Sequence, residues 1–193
     1  SDTYEIALIE GSVSTKHDIE RLEHIARVAK IIIAIGACSC TGGLNCLKNL
    51  YGTEKAKELV YGDKKGWIDA IDTKPIDAYV KVDYYARGCP PTRSEVVDIV
   101  KSLIVGKTPE IPNYPVCIEC KRLGNTCVYE FGTTCMGPVA RAGCNARCPS
   151  AKSGCEACRG SIDDPNINAQ KDLLVHYGLT VEDIMEGFNL YNA

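Results

Sequence analysis

The chain has 193 residues, with 22 Lys+Arg against 25 Asp+Glu, a net charge of −3 and 12 cysteines. That length can bury a real core, and 24% charged against 45% AVILMFWYC residues argues against a wholly disordered chain. The balance gives no global electrostatic case for nucleic acid, and no run approaches the roughly 18 uninterrupted apolar residues of a membrane span.

In chain order, Tyr4 to Ile9 (YEIALI) is rich in strand formers, and Ser12 to Thr15 offers hydroxyl N-caps. A helix follows in which Ile19, Leu22, Ala26 and Ala29 recur at three- and four-residue steps. Ile31 to Ile35 is a continuous apolar run, the pattern of a strand buried on both faces, so strand, helix and strand imply a parallel βαβ unit. Leu44 to Lys74 predicts a helix around Glu54 to Val60 and otherwise loop. Tyr79 to Tyr85 (YVKVDYY) predicts a further strand, and Thr92 to Val105 a helix with a Thr92/Glu95 capping box and an apolar face of Val96, Val100 and Leu103. Three prolines between Gly106 and Pro115 place a domain boundary there. An α/β domain over 1–108 is thus followed by a loop-rich, mostly irregular or helical part over 109–193, with helices at Ala169 to Tyr177 and Val181 to Leu190.

Two glycine-bearing cysteine motifs, GACSCTGG (Gly36 to Gly43) and RGCPP (Arg87 to Pro91), follow predicted strands, where ligands of an open parallel sheet collect. Both read as loops, with Cys38 and Cys89 together as metal ligands. Cys40 and Cys46, taken singly, read as small buried hydrophobes. Eight of the cysteines fall between Cys117 and Cys158, and two sets of four suit two cubane 4Fe-4S clusters. Zinc is the rival: CIEC (Cys117, Cys120) and CEAC (Cys155, Cys158) could form a ribbon, which strands Cys127, Cys135, Cys144 and Cys148. Disulfides fit poorly beside a regular α/β core. Lys121, Arg122, Arg141, Arg147, Lys152 and Arg159 outnumber Glu119, Glu130 and Glu156 in this segment, a surplus that offsets the burial of anionic clusters.

IALIEGSVS, GACSCTGG, RGCPP, YPVCIECKRLGNTC, CMGPVARAGCNARCP and CEACRG, in this order, resemble the small subunit of nickel-iron hydrogenases. The likeness is greatest to its cytoplasmic multi-subunit branch, of sulfhydrogenase delta-type and methanogen viologen- or deazaflavin-linked gamma-type subunits. The resemblance implies a flavodoxin-like parallel sheet and then an iron-sulfur domain with two complete 4Fe-4S clusters. Cys117, Cys120, Cys127 and Cys135 resemble the distal ligand set, and Cys144, Cys148, Cys155 and Cys158 the medial one. Cys38 and Cys89 resemble two ligands of a proximal cluster. The family's first strand, helix and CxxC-type pair would precede Ser1, so the sheet and the proximal site are expected to be incomplete here and the edge beside Tyr4 to Ile9 exposed. Cys40 and Cys46 have no ligand counterpart.

The implied role is an electron-transfer subunit without catalytic residues of its own. It would relay electrons between dihydrogen chemistry at a nickel-iron centre in a separate large subunit and an acceptor subunit. That acceptor would be a flavoprotein, a ferredoxin-like protein or a heterodisulfide reductase, and the compartment cytoplasmic. Two other readings are an iron-sulfur subunit of a complex-I-related oxidoreductase and a zinc-stabilised interaction module.

Overall fold

The computed structural model describes residues 3–192, with the backbone alone for 186–190 and 192. Strands β1 (Tyr4–Glu10), β2 (Ala29–Ile35) and β3 (Tyr84–Ala86) form a parallel sheet in the order β1-β2-β3. Helix α1 (Lys16–Val28) makes the first crossover. Its start is held by a reciprocal cap, in which Asp18 N–H donates to Thr15 Oγ1 (3.1 Å) and Thr15 N–H to Asp18 Oδ2 (2.9 Å). The central strand is apolar on both sides, as its run of isoleucines predicts. Ile32 and Ala34 pack with Leu22, Val13 and Ile76, while Ile33 packs with Ala86 and Ile99 on the opposite face. Full burial of each isoleucine contributes about 1.5–3 kcal/mol. Strand β1 forms one edge, with Tyr4 and Leu8 exposed.

Four local expectations are corrected. YVKVDYY is a strand only from Tyr84, because Ile76–Ala78 closes a 3₁₀ turn after Pro75 and the Asp83 carboxylate takes the Ile32 N–H at 2.9 Å, where a longer ladder would run. GACSCTGG is a helix rather than a loop. Helix α2 (Gly36–Thr41) ends at a left-handed Gly42, and Ser39 and Thr41 hydroxyls bond back to the Ile35 and Ala37 carbonyls. The stretch after it, expected to be loop as far as Glu54, contains a 3₁₀ turn (Gly43–Cys46) and α3 (Leu47–Tyr51) before α4 (Thr53–Tyr61). Finally, Thr92 precedes α5 (Arg93–Ile104) without capping its N–H groups: the Thr92 hydroxyl faces Glu95 Oε2 and the Gly143 carbonyl at 3.4 Å each, while Glu95 Oε1 pairs with Arg159.

That part contains α6 (Val116–Arg122), α7 (Arg147–Ser150), α8 (Ile167–His176) and α9 (Val181–Asn192), joined by turns around a core that includes Val116, Val128, Tyr129, Met136 and Leu174. No helix among the described residues is long and apolar enough to cross a membrane.

Arg159 ties this core to the sheet. Its guanidinium is 2% exposed and donates to Ala142 O (2.7 Å), to Arg87 O and to Glu95 Oε1 (2.7 Å). Removing one partner of a buried pair leaves an uncompensated charge. Glu95→Ala is therefore expected to cost about 3–5 kcal/mol, read as a thermal midpoint lower by roughly 6–20 °C in anaerobic melts; an unchanged midpoint would refute it.

Candidate metal centres

Two cavities hold the eight cysteines of the second part. The first, of about 410 Å³, is lined by Cys117 and Cys120 from α6 with Cys127 and Cys135, and walled by Val116, Val128 and Leu173. The second, of about 670 Å³, is lined by Cys144, Cys148, Cys155 and Cys158 with Arg141, Arg147 and Arg159 at its sides. The two CxxC pairs thus stand in different cavities, so the four thiols of the considered zinc ribbon are not brought together. Among the described residues no three His, Cys, Asp or Glu side chains converge tightly enough for a single metal ion. Four thiols spread around a void suit a multi-atom inorganic core, and the residues present therefore fit an iron-sulfur cluster.

The electrostatics agree with shared sites. Burial first, and then Cys135, Cys120 and Cys127, push the Cys117 thiol up to about 12. Burial pushes Cys158 up, with Cys144, Cys148 and Cys89 adding to it and the Cys89 peptide N–H opposing it. Cys155 is raised by burial against an N–H from Ala157. Such thiols stay protonated until a metal displaces the proton. Of the six cations counted from sequence, Lys121 and Arg147 favour the thiolates of Cys117 and Cys148. Arg141 and Arg159 are instead occupied by backbone carbonyls and by Asp163 and Glu95.

Glycine lets the chain close on the sulfurs. A Cβ on Gly137 would stand 3.2 Å from Cys117 Sγ and 3.3 Å from Cys135 Sγ. Cys135 Sγ accepts N–H bonds from Gly137 (3.4 Å) and from Cys155 (3.2 Å), so a backbone amide of the second set touches a sulfur of the first. The second set lies on strained chain, where Asn145, Ala146, Lys152 and Ala157 all have positive φ, between 45° and 61°.

Cys38, on α2, and Cys89, after β3, meet beyond the carboxyl ends of the strands, where Cys89 and Glu10 add to the effect of burial in raising the Cys38 thiol. Cys89 also borders the second cavity, and Tyr191 from α9 lies against it. Because α2 is helical, Cys40 points away from Cys38: at 3.6 residues per turn, neighbours two apart face nearly opposite ways. Cys40 is buried against the Ala34 and Ala86 carbonyls, and burial pushes its thiol up to about 11. Cys46 is 1% exposed and donates to Thr73 O (3.3 Å), though close enough to Cys38 to feel its charge. Sequence reasoning missed the tertiary roles of Glu119, counted only as a charge, and of Glu95, read only as a capping residue. Glu119 accepts from Gly143 N–H (2.9 Å) and Ala146 N–H (3.0 Å), and no local pattern marks either of these long-range partnerships.

Residues 1–103 match the family model described as NADH ubiquinone oxidoreductase, 20 kDa subunit. The chain is 35% identical to the sulfhydrogenase 2 subunit delta of Pyrococcus furiosus, over 88% of this chain and 71% of that protein. It is also 35% identical to a subunit of the vhu hydrogenase of Methanocaldococcus jannaschii, over 82% of this chain and 65% of that one. The chain therefore spans about two thirds of the length of these relatives. Among solved structures, a chain of an NAD+-reducing nickel-iron hydrogenase superposes with a TM-score of 0.53 at 32% identity, over 57% of this chain and 69% of that one. A chain of the actinobacterial-type nickel-iron hydrogenase from Ralstonia eutropha does so with a TM-score of 0.53 at 16% identity, over 94% and 68%, and bears on the fold alone. From its matched front part, its hydrogenase relatives and its α/β fold, the chain belongs to the NADH ubiquinone oxidoreductase 20 kDa subunit family, among the nickel-iron hydrogenase small subunits.

Proposed function

We propose that this chain is the electron-transfer small subunit of a cytoplasmic nickel-iron hydrogenase. In this reading residues 1–108 form the proximal-cluster domain and 109–193 the domain of the medial and distal clusters. The observation that carries the reading is the sorting of eight thiols into two cavities, four to each, with Cys89 at the border of the second and Cys38 near enough to feel its charge. Cys144, Cys148, Cys155 and Cys158 would hold the medial 4Fe-4S cluster, Cys117, Cys120, Cys127 and Cys135 the distal one, and Cys38 and Cys89 two corners of a proximal one. Clusters of this kind would supply one-electron storage at each site.

What the chain itself does is hold and tune. Val116, Val128 and Leu173 keep water from the first cavity, and N–H groups of Gly137 and Cys155 stabilise negative charge on Cys135 Sγ. The proposed partners are a large subunit holding the nickel-iron centre, where dihydrogen is oxidised or protons are reduced, and an acceptor subunit of flavoprotein, ferredoxin-like or heterodisulfide reductase type. The complex-I reading draws support from the family model over residues 1–103. The hydrogenase relatives, which match over 88% and 82% of the chain, favour the hydrogenase.

Anaerobic metal analysis of the full chain should find about eight irons held by its two four-cysteine sets, since each cubane takes four thiolates, with EPR signals after reduction. Zinc in excess of iron without a cluster signal would contradict this. In the assembled complex, Cys120→Ala should abolish most transfer to the physiological acceptor while hydrogen/deuterium exchange at the large subunit persists. Equal loss of both activities would overturn the distal assignment. Cys40→Ala and Cys46→Ala should leave iron content unchanged, because both thiols are buried against carbonyls; a loss of iron in either would make that residue a ligand.

A further inference from the structure

We infer that Glu119 is a positioning residue for Cys144, setting the geometry of the second cysteine set from within the motif of the first; this rests on the iron-sulfur reading above. Glu119 stands on α6 between Cys117 and Cys120, two thiols of the first cavity, but is not part of that cavity's wall. It is 9% exposed, and its two carboxylate oxygens accept the N–H groups of Gly143 (2.9 Å) and Ala146 (3.0 Å). Those two residues bracket Cys144.

The bracketed loop does not hold this shape by its own preference. Gly143 has φ +112, Asn145 φ 60 and Ala146 φ 45. A left-handed conformation disfavours a residue with a Cβ, so two in succession need an external tie. Bonds from peptide N–H groups to a carboxylate are the short, strong kind, and this carboxylate supplies two of them to one turn. The other side-chain hydrogen bond to Gly143 is the longer one from Thr92 Oγ1 to its carbonyl, at 3.4 Å, and the Arg159 side chain packs against its α-carbon. Glu119 is thus the tie to the peptide N–H groups on both sides of Cys144, and it links α6 to the second cavity.

The test is Glu119→Gln in the full chain within its complex, purified anaerobically, with iron counted per chain and EPR recorded in oxidised and reduced states. Whichever way the amide turns, its NH2 faces one of the two N–H donors, so one tie is lost while the shape of α6 is kept. A cubane takes four cysteines, and a displaced Cys144 releases the iron at its corner. The expected result is about one iron fewer per complex than in wild type, one corner of one cubane, an oxidised-state signal of a cluster with one iron missing, and an unchanged reduced signal from the first set. Full iron with both signals unchanged would overturn the inference. So would loss of the first-set signal together with the second, since that would make Glu119 a general support of α6. Wild-type chain holding zinc instead of iron would overturn the underlying reading and this inference with it, whereas iron-bearing wild type beside an unchanged variant would overturn this inference alone.

Discussion

The buried guanidinium of Arg159 is the constraint on which the arrangement depends. It follows Cys158 directly in the chain, and its donors reach the Arg87 carbonyl beside Cys89, the Ala142 carbonyl ahead of Cys144, and the Glu95 carboxylate on α5. One side chain therefore holds the strand-end cysteine loop against two segments of the second cysteine set. A charge this deeply buried persists only where its donors are satisfied and a counter-charge is near. Glu95 provides the counter-charge at a helix start, where its capping function is given up in exchange.

The cysteine-rich part has short helices joined by turns, and much of what surrounds its cavities is sulfur, glycine and strained backbone. Thiols pushed up by burial and by one another are poor neighbours in the absence of metal. Metal binding at such thiols would exchange protons for metal, which would link loading to folding. The same logic explains why carboxylates such as Glu119, and backbone N–H groups, rather than apolar packing alone, hold the loops.

The sites are also physically continuous. Cys89 shares a cavity border with the second set and donates its N–H to Cys158, and Cys155 donates its N–H to Cys135 of the first set. Helix α9 closes over this line: its Tyr191 carbonyl accepts from Thr41 on α2, and its Tyr191 ring borders the second cavity.

Local sequence was sufficient for features whose cause is local. The Ile31 to Ile35 run specifies a doubly buried strand because apolar residues without alternation must bury both faces, and Thr15 with Asp18 specifies the start of α1 because the cap closes within four residues. Cysteine count and spacing likewise announced thiol sites, since no other residue type accounts for eight such positions in one segment. What tertiary structure decided is how those thiols are shared out and what holds them. GACSCT carries no strong helix signal, yet it winds into α2 where Ser39 and Thr41 find backbone carbonyls, and that winding sends Cys38 to the strand ends and Cys40 into the core. YVKVDYY has the alternation of a full strand, but the Asp83 carboxylate takes the N–H that a longer β3 would have needed. Glu119 reads in sequence only as a charge and Glu95 only as a capping residue, and partners 24 and 64 residues away make them buried ties. Such long-range pairing leaves no periodic trace along the chain, because its physical basis is proximity created by the fold.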